Sequence, residues 1–205
     1  DRLTGPGYLN PVEPNAWVDG WLDYSGATKA NTNIADLLDP KRSRFAPYLP
    51  SAEVYKCPAD RSLSKGKTGQ PRARSVSMNA YLGERGGPYT GGYSQFTKVT
   101  QIWSASKCWA FIDEREDSIN DGWFAVNMDG YDPINTGAYV IVDYPASYHN
   151  GACGFAFVDG HSEIKKWVDP RTKPPLVKGQ YIPTYGPSPN NPDIAWIQDH
   201  CSARR

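Results

Sequence analysis

The chain has 205 residues, with 22 basic and 22 acidic side chains and no net charge at neutral pH. This balance provides no basic surface for nucleic acid or an anionic membrane, so neither is expected as a partner. The sequence contains no run of about 18 apolar residues and no signal-like segment. We therefore expect a soluble chain, long enough for one domain with a substantial core.

Glycine (19 residues), proline (18) and aromatic residues, including 7 Trp and 13 Tyr, are abundant. This composition is typical of a loop-rich fold on short strands, in which aromatic rings fill a core that long helices do not supply. We expect a single globular domain over 1–205. Residues 1–30 would be irregular, 31–167 would form an α+β core, and the Pro-rich residues 168–205 would wrap around it.

The clearest helix signal is the segment 31–40, NTNIADLLDP. Polar residues at its start can cap it, and Pro40 ends it. Its apolar face would consist of Ile34, Leu37 and Leu38.

Strands are predicted at 75–83, 107–114 and 137–144, where apolar and aromatic residues run between turn signals. Residues 95–102 fit either a strand or a short helix. A helical turn is expected near the C-terminus, docked through Ile194, Trp196 and Ile197.

The dipeptide Asp159-Gly160 lies between two extended runs, which is the sequence signal for a two-residue type I′ hairpin turn. In the resulting register Phe155 faces Ile164, and Phe157 joins them on one core face. A strand over 152–158 would be about 20 Å long at about 3.3 Å per residue. His149 and Asp159 would then lie at opposite ends of it and could not act on one bond or share a metal.

Four widely spaced cysteines are present, and none forms a CxxC pair, so a zinc knuckle is not expected. Two disulfides, with three possible pairings, and four reduced, partly buried thiols both remain open. The cysteines are Cys57, Cys108, Cys153 and Cys201.

The spacing His149, nine residues, Asp159-Gly160 resembles the H-x9-DG domain of bacterial prepilin-like proteins, of the planctomycete and verrucomicrobial type. These include pseudopilin-like proteins of type II secretion and type IV pilus systems. Three further landmarks occur in the family's order: VYKCPAD with Cys57, SVSMNAYLG with Asn79, and FIDE at 111–114.

The resemblance implies an α+β head, with a short N-terminal helix packed on an antiparallel sheet. It also implies an extracytoplasmic location in the periplasm, in the cell envelope or outside the cell. Partners would be other pseudopilins or secretion components. The family's methylated hydrophobic helix is absent from these residues, and the chain starts at Asp1 rather than Met. We therefore expect the soluble head of a longer, membrane-anchored precursor.

Seven carboxylates lie within residues 113–133. An oxygen-rich loop suits Ca²⁺, and major pseudopilins of type II systems bind calcium in such a loop. A solvated acidic loop without metal is the other explanation. The predicted calcium ligands are Asp113, Glu116, Asp117, Asp121 and Asp129.

The same stretch supports an enzyme as an alternative. A glycoside hydrolase needs two carboxylates and an aromatic platform for the sugar. Asp113, Glu114 and Glu116 would then be catalytic, and a glycan would stack on Trp103, Trp109 or Trp123. No GxSxG, HExxH, Walker or dinucleotide-binding motif is present. A pseudopilin-like head and a carbohydrate-active protein, whether glycan-binding or hydrolytic, both remain open.

Overall fold

The computed structural model describes Leu3 and residues 16–83 and 92–205. Of the segment 1–30, which was expected to be irregular, residues 1, 2 and 4–15 lie outside the described residues. Within these residues, short strands and 3₁₀ segments alternate with long loops, and one α-helix closes the chain. The predicted loop-rich α+β class is confirmed.

A mixed five-stranded sheet organises the fold. The strands of the described chain are β1 (Val76–Asn79), β2 (Trp109–Asp113), β3 (Trp123–Phe124), β4 (Val140–Ile141), β5 (Ala152–Phe157), β6 (Ser162–Lys166) and β7 (Gly186–Pro187). The order across the main sheet is β3-β1-β2-β5-β6, and β4 pairs with β7 separately.

The sheet is antiparallel except at one edge, where β3 runs parallel to β1. Strand β2 is antiparallel to β1. The connection after β2 turns back over the end of β1 and places β3 on its far side. Because β3 runs opposite to β2, and β2 runs opposite to β1, β3 runs parallel to β1.

The hairpin of β5 and β6 forms, but its loop has three residues, 158–160, instead of the predicted two-residue turn. Phe157 and His161 close the loop through a backbone hydrogen bond of 2.9 Å, and the Gly160 N–H donates back to Phe157. Only Gly160 in this loop has a positive φ, +94°. The N–H groups of the first two loop residues donate to carbonyls in the segment 105–108, which draws the additional residue into the loop.

The longer loop shifts the register by one residue, which moves side chains to the other face of the sheet. Ile164 pairs with Gly154 rather than with Phe155. Phe155 and Phe157 are buried as predicted, whereas Ile164 is 69% exposed on the opposite face.

One face of the sheet is covered by the C-terminal helix α1 (Pro192–Asp199). Asn191 caps α1 by accepting a hydrogen bond from the backbone N–H of Asp193. The predicted docking through Ile194 and Ile197 is confirmed, because both are buried against the aromatic core of this face. Trp196 is only partly buried.

The other face is covered by N-terminal loops and by the 3₁₀ segment Ile34–Leu38, which replaces the predicted helix over 31–40. Leu37 is buried in this second core, but Ile34 and Leu38 are 58% and 39% exposed. The prediction that all three share a sheet-facing side is wrong. At about three residues per turn, Leu37 and Leu38 point about 120° apart.

The strand predicted over 137–144 is reduced to β4, which pairs with β7 from the Pro-rich tail. The preceding residues form the 3₁₀ segment Thr136–Ala138. Residues 95–102 take the helical alternative, with a 3₁₀ turn at Val99–Gln101. All four cysteines are buried and unpaired, as in the reduced-thiol alternative. None of the helices in the described ranges has the length and hydropathy needed to cross a membrane.

We predict that Gly160→Ala lowers the free energy of unfolding by about 1 kcal/mol or more, because alanine resists a positive φ. No atom lies within 4 Å of the added Cβ, so the cost arises from the backbone alone. The control is Gly137→Ala, at an exposed site without positive φ, where we expect a change within about 0.5 kcal/mol. Urea denaturation of both variants measures the difference, and equal stabilities would contradict the positive φ at Gly160.

Candidate functional site

Three side chains from distant parts of the chain meet where β2 ends and β5 begins. Cys57 Sγ lies 3.2 Å from His149 Nε2, and His149 Nε2 lies 3.8 Å from Asp113 Oδ2. All three potential ligand atoms lie within 4.8 Å of one another. We refer to Cys57, Asp113 and His149 as the CDH cluster.

Cys57 follows the 3₁₀ segment Ala52–Tyr55 and is buried. Its backbone N–H donates to the Ser75 hydroxyl at 2.8 Å, which fixes the start of the turn. The backbone N–H groups of Ala59 and Asp60 lie near the sulfur, and the Asp60 N–H donates to the Cys57 carbonyl at 3.0 Å. Burial raises the pKa of the Cys57 thiol, and these two N–H groups oppose the rise by stabilising a thiolate.

Asp113 is the last residue of β2, and its Oδ2 accepts a hydrogen bond of 3.2 Å from the Gly154 N–H. A Cβ at position 154 would lie 3.0 Å from this oxygen, so glycine leaves room for the carboxylate. Burial raises the pKa of Asp113, while the Gly154 N–H, His149 and the Cys57 thiol lower it.

His149 lies in the turn that leads into β5. Asn150 and Gly151 follow it with φ of 55° and 78°, which reverses the chain. The His149 N–H donates to the Ala152 carbonyl at 3.2 Å. The His149 side chain is 34% exposed, so solvent reaches the CDH cluster from this side.

An apolar groove of about 710 Å³ adjoins the cluster on the face of the sheet opposite α1. We call it the sheet groove. Trp17, Phe45 and Phe111 form one part of its wall, and Ile164 lies at its outer side. Asp113 and His149 also line the groove, so the cluster opens into it.

The acidic stretch after β2 is not the exposed loop that the sequence suggested. Glu114, Glu116, Asp117 and Asp121 are each at most 5% exposed. The Pro-rich tail packs against this stretch at Arg115 and Asp117. The carbonyls of Pro174 and Pro175 accept hydrogen bonds from the Arg115 guanidinium, which itself pairs with Asp117.

The carboxylate of Glu114 is fully buried. It accepts hydrogen bonds of 2.6 Å from the hydroxyls of Ser77 and Ser118. Burial raises the pKa of Glu114, and the nearby Asp143 raises it further. Asp143 is partly exposed as a residue, but its carboxylate accepts a 2.6 Å hydrogen bond from the buried Ala125 N–H.

The structure does not gather the predicted calcium ligands. Among the described residues, the CDH cluster is the one group of three or more His, Cys, Asp or Glu side chains close enough to hold a single ion. Of the predicted calcium ligands it contains Asp113 alone. Glu116, Asp117 and Asp121 are buried elsewhere, and Asp129 is exposed. Calcium binding by this stretch stays a prediction.

The proposed catalytic carboxylates do not share a cleft either. Asp113 faces the sheet groove, whereas Glu114 is fully buried among serines. Glu116 is also buried. Trp109 and Trp123 are 0% and 8% exposed, so neither side chain can stack on a sugar as predicted.

Trp103 is 40% exposed and packs at a tilt on Phe96. It is therefore the one member of the predicted aromatic platform that reaches solvent.

The remaining landmark residues have structural partners. Asn79 donates to the carbonyls of Trp109 and Cys201, both at 2.9 Å, and joins β1 to β2 and to the C-terminus. Asp159 accepts from His161 in the hairpin loop. His149 and Asp159 thus lie at opposite ends of β5, with different partners.

Sequence reasoning named all three members of the CDH cluster but did not bring them together. Cys57 and His149 were assigned to structural motifs, and Asp113 to the acidic stretch. The absence of CxxC excluded a local zinc knuckle, but it says nothing about a site assembled from segments 92 positions apart. The sequence held one signal for the cluster, because each of its three residues lies in a different landmark of the family resemblance.

Comparison with protein-family models, with curated proteins and with solved structures finds no match to this chain. The function must therefore be argued from the residues and their geometry.

We predict that stability falls as the pH rises from about 4 towards 8, because interior carboxylates with raised pKa hold protons that the unfolded chain releases. Each additional proton held by the folded state contributes a slope of about 1.4 kcal/mol per pH unit at most. Asp143→Asn cannot ionise at this position and should flatten the slope.

Urea denaturation across this pH range measures the slope. The control is Asp129→Asn, which removes an exposed carboxylate of the same sequence region and should leave the slope unchanged. If the free energy of unfolding changes with pH equally in the wild type and in Asp143→Asn, the Asp143 carboxyl does not hold a proton in the folded interior.

Proposed function

We propose that this chain is the extracytoplasmic head of a pseudopilin-like protein of a type II secretion or type IV pilus-like system. The observation that carries the proposal is the meeting of separate landmarks in space. Cys57 comes from VYKCPAD, Asp113 from FIDE and His149 from the H-x9-DG segment, and the three form one cluster. Three residues that carry the family resemblance at separate positions in the sequence thus lie together in the fold.

The fourth landmark supports the same interpretation. Asn79 of SVSMNAYLG lies on β1, beside the strand that ends in Asp113. Its amide ties β1 to β2 and to the C-terminal segment. The four landmarks therefore stabilise neighbouring parts of one sheet, as expected for a structural head in which loops pack on a small sheet.

The arrangement favours a structural head over the carbohydrate-active alternative. A glycoside hydrolase needs its two carboxylates about 5–10 Å apart across an open cleft. In this fold Glu114 and Glu116 are buried, as are Trp109 and Trp123. Only Asp113 of the proposed catalytic set lines the apolar sheet groove.

We predict that the complete gene encodes, upstream of Asp1, a short leader followed by an apolar helix of about 20 residues. Co-expression of the complete precursor with a prepilin peptidase should remove the leader and place the head in the envelope fraction. Mass spectrometry of the mature N-terminus should find a methylated residue. The matched control is the segment 1–205 expressed alone, which should not be retained in the membrane.

A complete gene without an upstream apolar segment would overturn the proposal, and so would a precursor that the peptidase leaves uncut. Retention of the chain on a glycan array, or cleavage of chromogenic glycosides, would support the carbohydrate-active alternative instead.

A further inference from the structure

We propose that the CDH cluster is a binding site for a divalent transition metal, with zinc as the best-fitting ion. Cys57 Sγ, Asp113 Oδ2 and His149 Nε2 would be its protein ligands. The inference rests on the geometry of these three side chains and does not depend on the proposed pseudopilin-like function.

The separations between the ligand atoms fit a tetrahedral site. Zinc binds sulfur at about 2.3 Å and nitrogen or oxygen at about 2.0–2.2 Å, which places tetrahedral ligand atoms about 3.3–3.6 Å apart. The sulfur-to-nitrogen separation is 3.2 Å, and the nitrogen-to-oxygen separation is 3.8 Å. The sulfur-to-oxygen separation is at most 4.8 Å, so this pair closes by up to about 1.3 Å when an ion binds.

The donor set selects the class of metal. A thiolate, an imidazole and one carboxylate suit zinc and its transition-metal neighbours, whereas Ca²⁺ and Mg²⁺ require cages of oxygen. The site therefore differs in chemistry from the calcium site that the acidic stretch suggests, although both include Asp113.

The surroundings hold two of the three ligands in place. The Gly154 N–H orients the carboxylate of Asp113. The N–H groups of Ala59 and Asp60 support negative charge on the Cys57 sulfur. Such outer partners orient metal ligands and strengthen binding, so the site is largely formed before the ion arrives.

Three protein ligands leave a fourth tetrahedral position, which is the arrangement of zinc sites with an exchangeable ligand. Asp113 and His149 both line the sheet groove, and the His149 side chain is one third exposed. A water molecule or an anionic group in the groove can reach the ion from this side.

Cobalt(II) is the probe, because tetrahedral cobalt bound to a thiolate gives visible d–d bands and a thiolate-to-metal charge-transfer band. The reduced wild-type chain should show both on titration with cobalt, and excess zinc should bleach them. Zinc should also raise the melting temperature, since a ligand that binds only the folded state stabilises it.

Cys57→Ser should abolish the charge-transfer band. His149→Gln and Asp113→Asn should each weaken cobalt binding by at least about 100-fold. The matched control is His161→Gln, which removes an exposed histidine from the same hairpin and should bind cobalt like the wild type. Circular dichroism establishes that each variant is folded.

The absence of a charge-transfer band in the wild type would overturn the proposal without recourse to any variant. Full cobalt affinity in Asp113→Asn or His149→Gln would also overturn it, as would loss of the band in His161→Gln. If Cys57→Ser does not fold, protection of the wild-type Cys57 from alkylation by zinc provides the second measurement, and unchanged alkylation would count against the site.

Discussion

The end of strand β2 is the point on which both the interior and the candidate site depend. Asp113 and Glu114 are consecutive, and the alternation of an extended chain sends their side chains in opposite directions. Asp113 meets Cys57 and His149 beside the sheet groove. Glu114 enters the interior and is held by Ser77 and Ser118. The alternation of side chains along the extended chain thus separates two neighbouring carboxylates that the sequence suggested as a catalytic pair. Each of them has different partners.

The interior is organised by polar side chains because regular structure is scarce. A buried backbone or side-chain polar group needs a partner, and a loop-rich chain cannot supply all of them from helices and sheets. Arg72 donates to the carbonyls of Glu116 and Ile119. Arg115 pairs with Asp117 and reaches the Pro-rich tail. These contacts explain why the acidic stretch is folded inward and why the tail takes a defined path.

The CDH cluster joins segments that are far apart in sequence, with Cys57 and His149 separated by 92 positions. Bringing such distant segments together costs chain entropy, which grows slowly with loop length. A metal ion bound only to the folded chain would offset part of that cost. The cluster is therefore placed where a single ion can stabilise the N-terminal loops against the segment that leads into the β5–β6 hairpin.

The sequence by itself determined the features that depend on neighbouring residues. Composition predicted a loop-rich fold on short strands, the apolar run at 107–114 predicted β2, and Ile194, Trp196 and Ile197 predicted a docked helical turn. It also located the hairpin at Asp159-Gly160. The hairpin's register was decided by tertiary structure, because hydrogen bonds to the segment 105–108 lengthen its loop.

Tertiary structure likewise decided which polar residues are buried and which meet. The carboxylates of 113–121 carry no local signal that the Pro-rich tail will cover them, since the contacts come from residues about 60 positions later. Trp109 and Trp103 are equally apolar in sequence, yet packing against α1 buries the first and leaves the second exposed. The CDH cluster has the same origin: its three residue types were readable from the sequence, and only the strand order of the sheet brought them within reach of one ion.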